Sequence, residues 1–402
     1  MELTDLLKTA VERKASDVHI KVGTPPTLRI DDKLVPLADI PRLTQEFVLG
    51  MASNIMNPRQ RERFKENSDL DLAYSVPGLG RFRVSIFQQR GAVGMVMRVI
   101  PTKILSIGEL HLPPVLEKLA LEPRGLILVT GITGSGKSST LAALIDHINN
   151  HRPCHVITIE DPIEFLHRDR KALVNQREVG VDTGSFGEAL RSALRQDPDI
   201  ILVGEMRDFE TISTAIHAAE TGHLVLSTLH TLDAAETVNR IITAFPPYQQ
   251  EQVRRQISSI LRGVVSQRLI PRADGKGRVP AVEVMISTAT IRECIADPEK
   301  TRRIHEIIAM GGSQYGMLTF DQSLMDLYRR GLVAYEEALR WCSNPDDFAL
   351  RVRGVESTSD HSLVSPEDFG APVVQEEVRG PAPAATTTRP PTQPMRPPPT
   401  RR

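Results

Sequence analysis

The chain has 402 residues, a formal net charge of −1 and a hydrophobic fraction of 40%, which predicts a folded protein with room for two or three domains. The near-neutral charge argues against the basic field of a nucleic-acid translocase, so no nucleic-acid partner is expected. There is no run of about 20 apolar residues, and the charged start MELTDLLKTAVERKASD has no signal-peptide core. We therefore expect a cytoplasmic location. The three cysteines are far apart, so neither a disulfide framework nor a zinc site is predicted.

The first hundred residues have the pattern of a small mixed α/β domain. Apolar residues at helical spacing predict a helix over about residues 3–11. Residues 81–100 alternate with period two on both sides of a turn centred on Gly91, which predicts a long β-hairpin. The proline-containing stretch that follows marks a boundary, and we predict a first domain over residues 1–108.

The rest of the chain divides into a second domain and a tail. Strand-like and helical segments alternate over residues 109–354, which is typical of a doubly wound parallel sheet and places the chain in the α/β class. Residues 355–402 are rich in Pro, Thr and Ala and lack apolar periodicity. We predict that this last segment is disordered.

A complete GxxxxGK[ST] phosphate-binding loop occupies residues 131–138, between the strand-like run 126–130 and a helical stretch. Glycines allow consecutive backbone N–H groups to surround phosphates, the lysine bridges them, and the serine hydroxyl can ligate Mg²⁺. The sequence therefore predicts that ATP and Mg²⁺ bind here. The residues predicted to bind the nucleotide are Gly131, Ile132, Thr133, Gly134, Ser135, Gly136, Lys137, Ser138 and Ser139.

The carboxyl ends of neighbouring strands are the expected positions for the remaining polar groups of the site, because ligands of open parallel sheets bind at that edge. Glu205 follows the aliphatic strand 200–203 and is predicted to organise Mg²⁺ together with Ser138. Asp199 begins the same strand, so it is expected at the opposite edge of the sheet.

An acidic cluster, made up of Glu160, Asp161 and Glu164, follows the strand predicted over residues 155–159. At least one of its carboxylates is needed to orient or deprotonate the attacking water. We favour Glu164, which lies beyond a proline turn and can reach the γ-phosphate, with Glu160 as the second candidate. His230, at the end of another strand, is predicted to hydrogen-bond the γ-phosphate or its water.

The hairpin supplies candidate cations. Arg81 and Arg83 fall on one face of its first strand, and Arg98 lies on the return strand. A single lysine leaves the charge that develops on the γ-phosphoryl group under-compensated, so an arginine from a neighbouring domain is expected to contribute. The alternative is a solvated face whose arginines pair with acids such as Asp69 and Asp71.

Together these motifs resemble the PilT/PilU retraction ATPases of type IV pili, a branch of the secretion ATPase superfamily. The resemblance covers about residues 1 to 350. Besides the phosphate loop, the motifs that carry it are ASDVHI (15–20), VITIEDPIEF (156–165), VNQREVGVDT (174–183), DPDIILVGEMRD (197–208) and AAETGHLVLSTLHT (218–231).

The resemblance implies a PAS-like N-terminal domain, a RecA-like ATPase domain and a homohexameric ring with ATP near the domain and subunit boundaries. It also implies arginines like Arg81, Arg83 and Arg98 in contact with phosphate. The implied function is a motor that hydrolyses ATP to retract a type IV pilus, in twitching motility. Its implied partner is a pilus platform protein at the inner membrane, with a PilT/PilU paralogue as a further partner.

Several alternatives stay open at this stage. Stretches 261–278 and 318–328 resemble the PilU side of the family and GEMRD resembles the PilT side, so the subtype is undecided and an accessory ATPase that modulates a partner motor is possible. A pilus-extension or type II secretion ATPase would be expected to carry a four-cysteine zinc module and a longer N-terminal region. A nucleic-acid translocase on the same core would show salt-dependent DNA binding.

Overall fold

This computed structural model describes residues 2–30, 33–101 and 103–353 of the chain. The segment 355–402, predicted to be a disordered tail, lies outside the described residues. Within the described part, no helix combines the length and the apolar character that crossing a membrane requires.

An antiparallel sheet of six strands forms the N-terminal part, in the order β3-β2-β1-β6-β5-β4. Three helices accompany it, and one continuous apolar core joins them to the sheet. The elements are α1 (Leu3–Glu12), β1 (Asp17–Lys21), β2 (Thr27–Ile30), β3 (Lys33–Pro36), α2 (Gln45–Ile55), α3 (Pro58–Asn67), β4 (Asp69–Val76), β5 (Gly80–Gln89) and β6 (Ala92–Val99).

The predicted hairpin is confirmed as the pair β5 and β6, whose register ends at Gln89 opposite Ala92. Its two turn residues, Arg90 and Gly91, have φ angles of 50° and 75°, and positive φ at both central positions is what a type I′ turn requires. Along β5 the side chains of Phe82, Val84 and Ile86 are buried, whereas Arg83 between them is exposed and Arg81 is partly buried. The alternation thus leaves cations on the face away from the core.

The larger sheet has seven strands in the order β13-β12-β7-β11-β10-β8-β9, all parallel except for the antiparallel pair of β13 with β12. Its elements are α4 (Val115–Ala120), β7 (Gly125–Thr130), α5 (Lys137–His151), β8 (His155–Glu160), β9 (Leu173–Glu178), α6 (Phe186–Ala193), β10 (Ile200–Val203), α7 (Phe209–Glu220), β11 (Leu224–Leu229), α8 (Ala234–Thr243), α9 (Pro247–Ile260), β12 (Leu261–Pro271), β13 (Arg278–Ile286), α10 (Ala289–Ala296), a 3₁₀ turn (Thr301–Arg303), α11 (Ile304–Met310), α12 (Gly312–Tyr315), α13 (Phe320–Arg329), α14 (Tyr335–Trp341) and α15 (Pro345–Val352).

Both faces of this sheet are covered, which explains why its central strands are continuous aliphatic runs. In β7, Leu126 and Leu128 pack into one apolar core, whereas Ile127 and Val129 pack into another. Successive side chains of a strand point to opposite faces, so the two cores lie on the two sides of the sheet. The predicted α/β class is confirmed.

In the larger sheet the structure adds three strands that the sequence analysis did not single out. β9 extends the sheet beyond β8, and β12 and β13 extend it beyond β7. β9 lies at the edge of the sheet and is mostly polar; its residues from Leu173 to Arg177 are exposed or half-buried, whereas Glu178 is buried. The predicted domain limits at residues 108 and 109 fall between β6 and α4, and the limits themselves stay a prediction.

Candidate active site

The phosphate loop joins the end of β7 to the start of α5. Its glycines at 131, 134 and 136 have φ angles of 137°, 78° and 92°, a region that side-chain-bearing residues rarely adopt. At Gly131 an added Cβ would lie 2.4 Å from the carbonyl oxygen of Gln267. The glycine at this position is therefore required both by the backbone conformation and by the close approach of β12.

β12 supports the loop through a buried side chain that the sequence analysis missed. Gln267 is 1% exposed; its Nε2 donates to the Ser135 carbonyl at 2.6 Å, and its Oε1 accepts from Thr140 Oγ1 at 2.9 Å. Next to it, Thr130 Oγ1 donates to Ser266 Oγ at 2.9 Å. The available signal was the polar pair Ser266 and Gln267 directly after the aliphatic residues of the same strand, since buried polar groups need partners.

Lys137 is the first residue of α5 and is half-buried. Its Nζ donates to the carbonyl oxygens of Gly131 at 2.8 Å and Ile132 at 3.0 Å. Burial lowers the pKa of Lys137, and the negative charges of Glu205 and Glu164 oppose that shift. Two of the predicted carboxylates therefore lie within electrostatic reach of the loop lysine.

A cavity of about 450 Å³ opens at this edge of the larger sheet. The predicted carboxylates Glu160, Glu164 and Glu205 line it together with His230. The structure thus brings together the ends of β7, β8, β10 and β11, as expected for a parallel sheet. Of the predicted loop residues, those that line the cavity are Thr133, Gly134, Gly136, Lys137, Ser138 and Ser139.

Glu205 lies at the centre of a small polar cluster beyond β10. Its carboxylate is 2.8 Å from Arg207 Nε and 3.6 Å from His230 Nε2. Asp199 lies at the opposite edge of the sheet, where its Oδ2 accepts from the backbone N–H of His155 at 2.8 Å. Glu205 is therefore the acid of this strand that can face a nucleotide, as predicted from its position.

Glu160 and Glu164 differ in how firmly they are held. The Glu160 carboxylate accepts from Thr158 Oγ1 at 2.6 Å, from Gln176 Nε2 at 2.9 Å and from the backbone N–H of Glu164. Burial raises the pKa of Glu160, and these donors oppose the shift. Glu164 is exposed to the cavity. The geometry favours Glu164 as the carboxylate that contacts a water molecule, because the carboxylate of Glu160 already accepts hydrogen bonds from protein donors.

The three hairpin arginines have different surroundings. Arg81 Nη2 is 2.8 Å from Glu178 Oε2, with both side chains largely buried. Arg98 Nε is 2.9 Å from Oδ1 of the buried Asp17. Arg83 is exposed, and no ion pair of it is found within residues 2–30, 33–101 and 103–353. Of the three, Arg83 is thus the cation that is open to a partner.

The register of the hairpin places Arg83 directly opposite Arg98. Like charges at directly opposite positions destabilise a sheet unless an anion compensates them. Among the described residues neither of them pairs with Asp69 or Asp71, which were the acids of the alternative interpretation. None of the three arginines lines the cavity, so their contact with phosphate stays a prediction.

Glu283 of β13 is a buried acid next to the segment that carries His230. It is 2% exposed, and its Oε1 accepts from the backbone N–H of Ala234, the first residue of α8, at 2.9 Å. Burial raises the pKa of Glu283 to about 7, and the Ala234 N–H opposes that shift. β13 therefore holds the start of α8 through a carboxyl group that titrates near neutral pH.

The variant Glu283→Gln is expected to become more stable relative to wild type as the pH rises. The folded-state pKa of about 7 lies above the ordinary value of 4.5, so the stabilisation from the bound proton is complete below about pH 4.5 and is lost as the pH approaches 7. The amide keeps an acceptor for Ala234 and never ionises. The difference in unfolding free energy should change by on the order of 2–3 kcal/mol between about pH 5 and pH 8. Denaturant unfolding at both pH values checks this, and a constant difference would contradict it.

Comparison with known proteins places this geometry in a wider context. The model of the family described as type II/IV secretion system protein matches residues 2–343, which include both sheets. The chain is 48% identical over 348 residues to the type IV pilus retraction ATPase PilT of Pseudomonas aeruginosa, covering 87% of this chain and 100% of that protein. It is 43% identical over 367 residues to the type IV pilus ATPase PilU of the same organism, covering 90% and 94%. A crystal structure of the pilus retraction motor PilT with bound ADP matches with a TM-score of 0.80 at 45% identity, covering 86% of this chain and 98% of that one.

Proposed function

Because the chain belongs to the type II/IV secretion system protein family, we propose that it is an ATPase motor that hydrolyses ATP to power the retraction of type IV pili in twitching motility. The observation that carries the proposal is that the phosphate loop, Glu164, Glu205 and His230 line one and the same cavity. The pilus as cargo is supported by the relatives that are named pilus retraction ATPase and pilus retraction motor.

The loop fits a nucleotide phosphate chain. Its three glycines hold positive φ angles, so consecutive backbone N–H groups can converge on an anion, and α5 begins at the same point with its N-terminal partial positive charge. Ser138 and Glu205 would hold Mg²⁺, since both line the cavity and supply hard oxygen ligands. When bound, that ion would neutralise charge on the β- and γ-phosphate oxygens.

Three side chains of the cavity then have distinct roles in the proposed mechanism. Lys137 leaves the carbonyls of Gly131 and Ile132 to contact the β- and γ-phosphates of ATP. Glu164 orients the attacking water and accepts its proton. His230, near Glu205, hydrogen-bonds the γ-phosphate or the water.

Arginines from the N-terminal sheet are proposed to complete the charge compensation, either in the same subunit or across a subunit boundary. Arg83 and Arg98 are exposed at directly opposite positions on β5 and β6. Asp17 already compensates the charge of Arg98, so an arriving phosphate would chiefly pair with Arg83. Charge that is supplied only when the N-terminal domain closes on the nucleotide would couple hydrolysis to domain movement.

The variant Arg83→Ala is expected to lose about tenfold or more in kcat, because one donor to the developing charge is removed. Its thermal melt should stay close to that of wild type, since Arg83 is exposed on the surface. Steady-state ATP hydrolysis and thermal melts of the two proteins measure both effects. Arg63→Ala, on an exposed face of α3, is the matched control; wild-type turnover in both Arg83→Ala and Arg98→Ala would contradict the role of these arginines.

The assembly and its location are further parts of the proposal. We expect a homohexameric ring of cytoplasmic subunits, associated at the pilus base with an inner-membrane platform protein that receives the movement. In this arrangement residues 1–108 form the domain that moves against the ATPase domain of residues 109–354. Light scattering of the purified chain with and without nucleotide tests the oligomer.

A second candidate function is that of an accessory ATPase that modulates a partner motor, which the 43% identity to PilU favours. The two candidates differ in what the purified chain does alone. A motor hydrolyses ATP without a paralogue, whereas an accessory subunit needs one. A deletion strain complemented with wild-type or Lys137→Ala protein, scored for pilus retraction, tests the biological function: if the deletion strain retracts its pili normally, the proposed cargo is wrong.

A further inference from the structure

The motif VNQREVG on β9 has no part in the mechanism described above. β9 pairs in parallel with β8, and the register places Gln176 opposite Thr158 and Glu178 opposite Glu160. Gln176 and Glu178 are two residues apart, so they share one face of the strand. Both of their side chains contact the segment 160–167, which carries Glu164.

Gln176 holds that segment at both ends. Its Nε2 donates to Glu160 Oε1 at 2.9 Å and to the Phe165 carbonyl at 2.9 Å. Its Oε1 accepts from the backbone N–H of His167, also at 2.9 Å. A single amide therefore fixes one carboxylate and two backbone groups, and Glu164 lies between them in the chain.

Glu178 holds the middle of the segment and links it to the N-terminal sheet. It is 5% exposed, and its Oε2 accepts both from the backbone N–H of Ile163 at 3.3 Å and from Arg81 Nη2 at 2.8 Å. Ile163 immediately precedes Glu164, whereas Arg81 lies on β5. One carboxylate oxygen thus joins the two parts of the chain at the edge of the active site.

Burial makes this link different from a surface ion pair. The Arg81 side chain is 17% exposed and that of Glu178 is 6% exposed. When one partner of such a pair is removed, the other is left as an uncompensated buried charge, whereas exposed pairs contribute little. A movement of β5, which carries Arg81, would therefore disturb the hydrogen bond that the Ile163 N–H donates to Glu178.

On the basis of the proposed function, we propose that Glu178 is a positioning residue through which Arg81 sets the placement of Glu164 for hydrolysis. While the N-terminal sheet stays against β9, Arg81 fixes Glu178, and Glu178 fixes the backbone next to Glu164. When the sheet moves away, Glu178 loses its cation and the segment 160–167 loosens. Arg81 thus affects the attacking water indirectly, through Glu178 and the placement of Glu164. This effect is separate from any charge that the other arginines supply to the phosphate.

The test is a double-mutant cycle in the full-length chain with Arg81→Ala, Glu178→Gln and the combination of both. Each single variant should lower kcat by about tenfold to a hundredfold, because a small misplacement of a catalytic group has effects of this size. The double variant should be no slower than the slower single variant, since both changes break the same link. The KM for ATP should change less than about twofold. Arg81→Lys, which keeps the charge, should recover part of kcat, and Arg63→Ala should match wild type.

Amide hydrogen exchange of the nucleotide-free protein supplies a readout that does not depend on activity. Arg81→Ala should speed exchange in the segment 160–167, although Arg81 makes no hydrogen bond to that backbone. Additive losses in kcat, or a raised KM in Arg81→Ala alone, would show that Arg81 contacts the nucleotide directly, which would overturn the inference. Wild-type kcat together with unchanged exchange would overturn it as well. A wild-type chain without ATPase activity would instead refute the proposed function, and exchange would still test the link.

Discussion

The variant Lys137→Ala is expected to lose at least about a hundredfold in ATP turnover while its thermal melt stays close to that of wild type. Lys137 is the cation of the phosphate loop; burial lowers its pKa, and the charges of Glu205 and Glu164 oppose that shift. Removing it takes the fixed positive charge from a phosphate loop otherwise built of backbone dipoles. The fold should tolerate the change, because alanine is the best helix former and the first turn of α5 keeps its other contacts.

Steady-state hydrolysis and the melt must be measured on the same preparation. Lys118→Ala is a matched control, since that lysine is exposed on α4 and lies outside the residues that line the cavity. More than about a tenth of wild-type turnover in Lys137→Ala would show that this loop is not the active one, given the size of effect expected for such a cation.

The second large effect is expected for Glu164→Gln, which should bind ATP with near wild-type affinity and hydrolyse it at least about a hundredfold more slowly. The amide keeps the shape of the side chain but cannot accept a proton from water. Because Glu164 is exposed to the cavity, the substitution leaves the packed core unchanged. Equilibrium nucleotide binding and single-turnover hydrolysis separate the two steps.

Glu160→Gln is the variant to compare with Glu164→Gln, because the two acids lie in the same segment but differ in their surroundings. Glu160 accepts hydrogen bonds from Thr158, Gln176 and the backbone N–H of Glu164. Glu160→Gln should therefore slow hydrolysis indirectly, by changing the placement of the segment 160–167, and by less than Glu164→Gln does. An inactive Glu160→Gln beside an active Glu164→Gln would reverse the two assignments.

Local sequence patterns were sufficient to predict those parts of the structure that follow a strand periodicity or a sequence motif. The alternation in residues 81–100 predicted the hairpin, and the aliphatic run before Glu205 predicted its position at the edge of the sheet where the cavity opens. These predictions succeed because strand period and strand direction are read from neighbouring residues.

The contacts that the sequence could not predict are those between polar side chains and distant backbone. Gln176 and Glu178 form no periodic pattern, because what they bind is the backbone of residues 163–167 and an arginine on another sheet. A polar residue on an edge strand such as β9 reads as a solvated one from sequence alone. Likewise, the partner of Arg81 could be identified only from tertiary structure.

The support that β12 gives to the phosphate loop also has a consequence for how the chain is made. Gln267 is separated by 132 residues from Ser135 and by 127 from Thr140, so the hydrogen bonds that finish the loop join distant parts of the chain. During synthesis the signature GITGSGKS is made long before β12, the strand whose side chain hydrogen-bonds to the loop. A nascent chain that ends ahead of β12 carries the full signature without the finished loop. We therefore expect a nascent chain to bind nucleotide only late in translation, once β12 has been made.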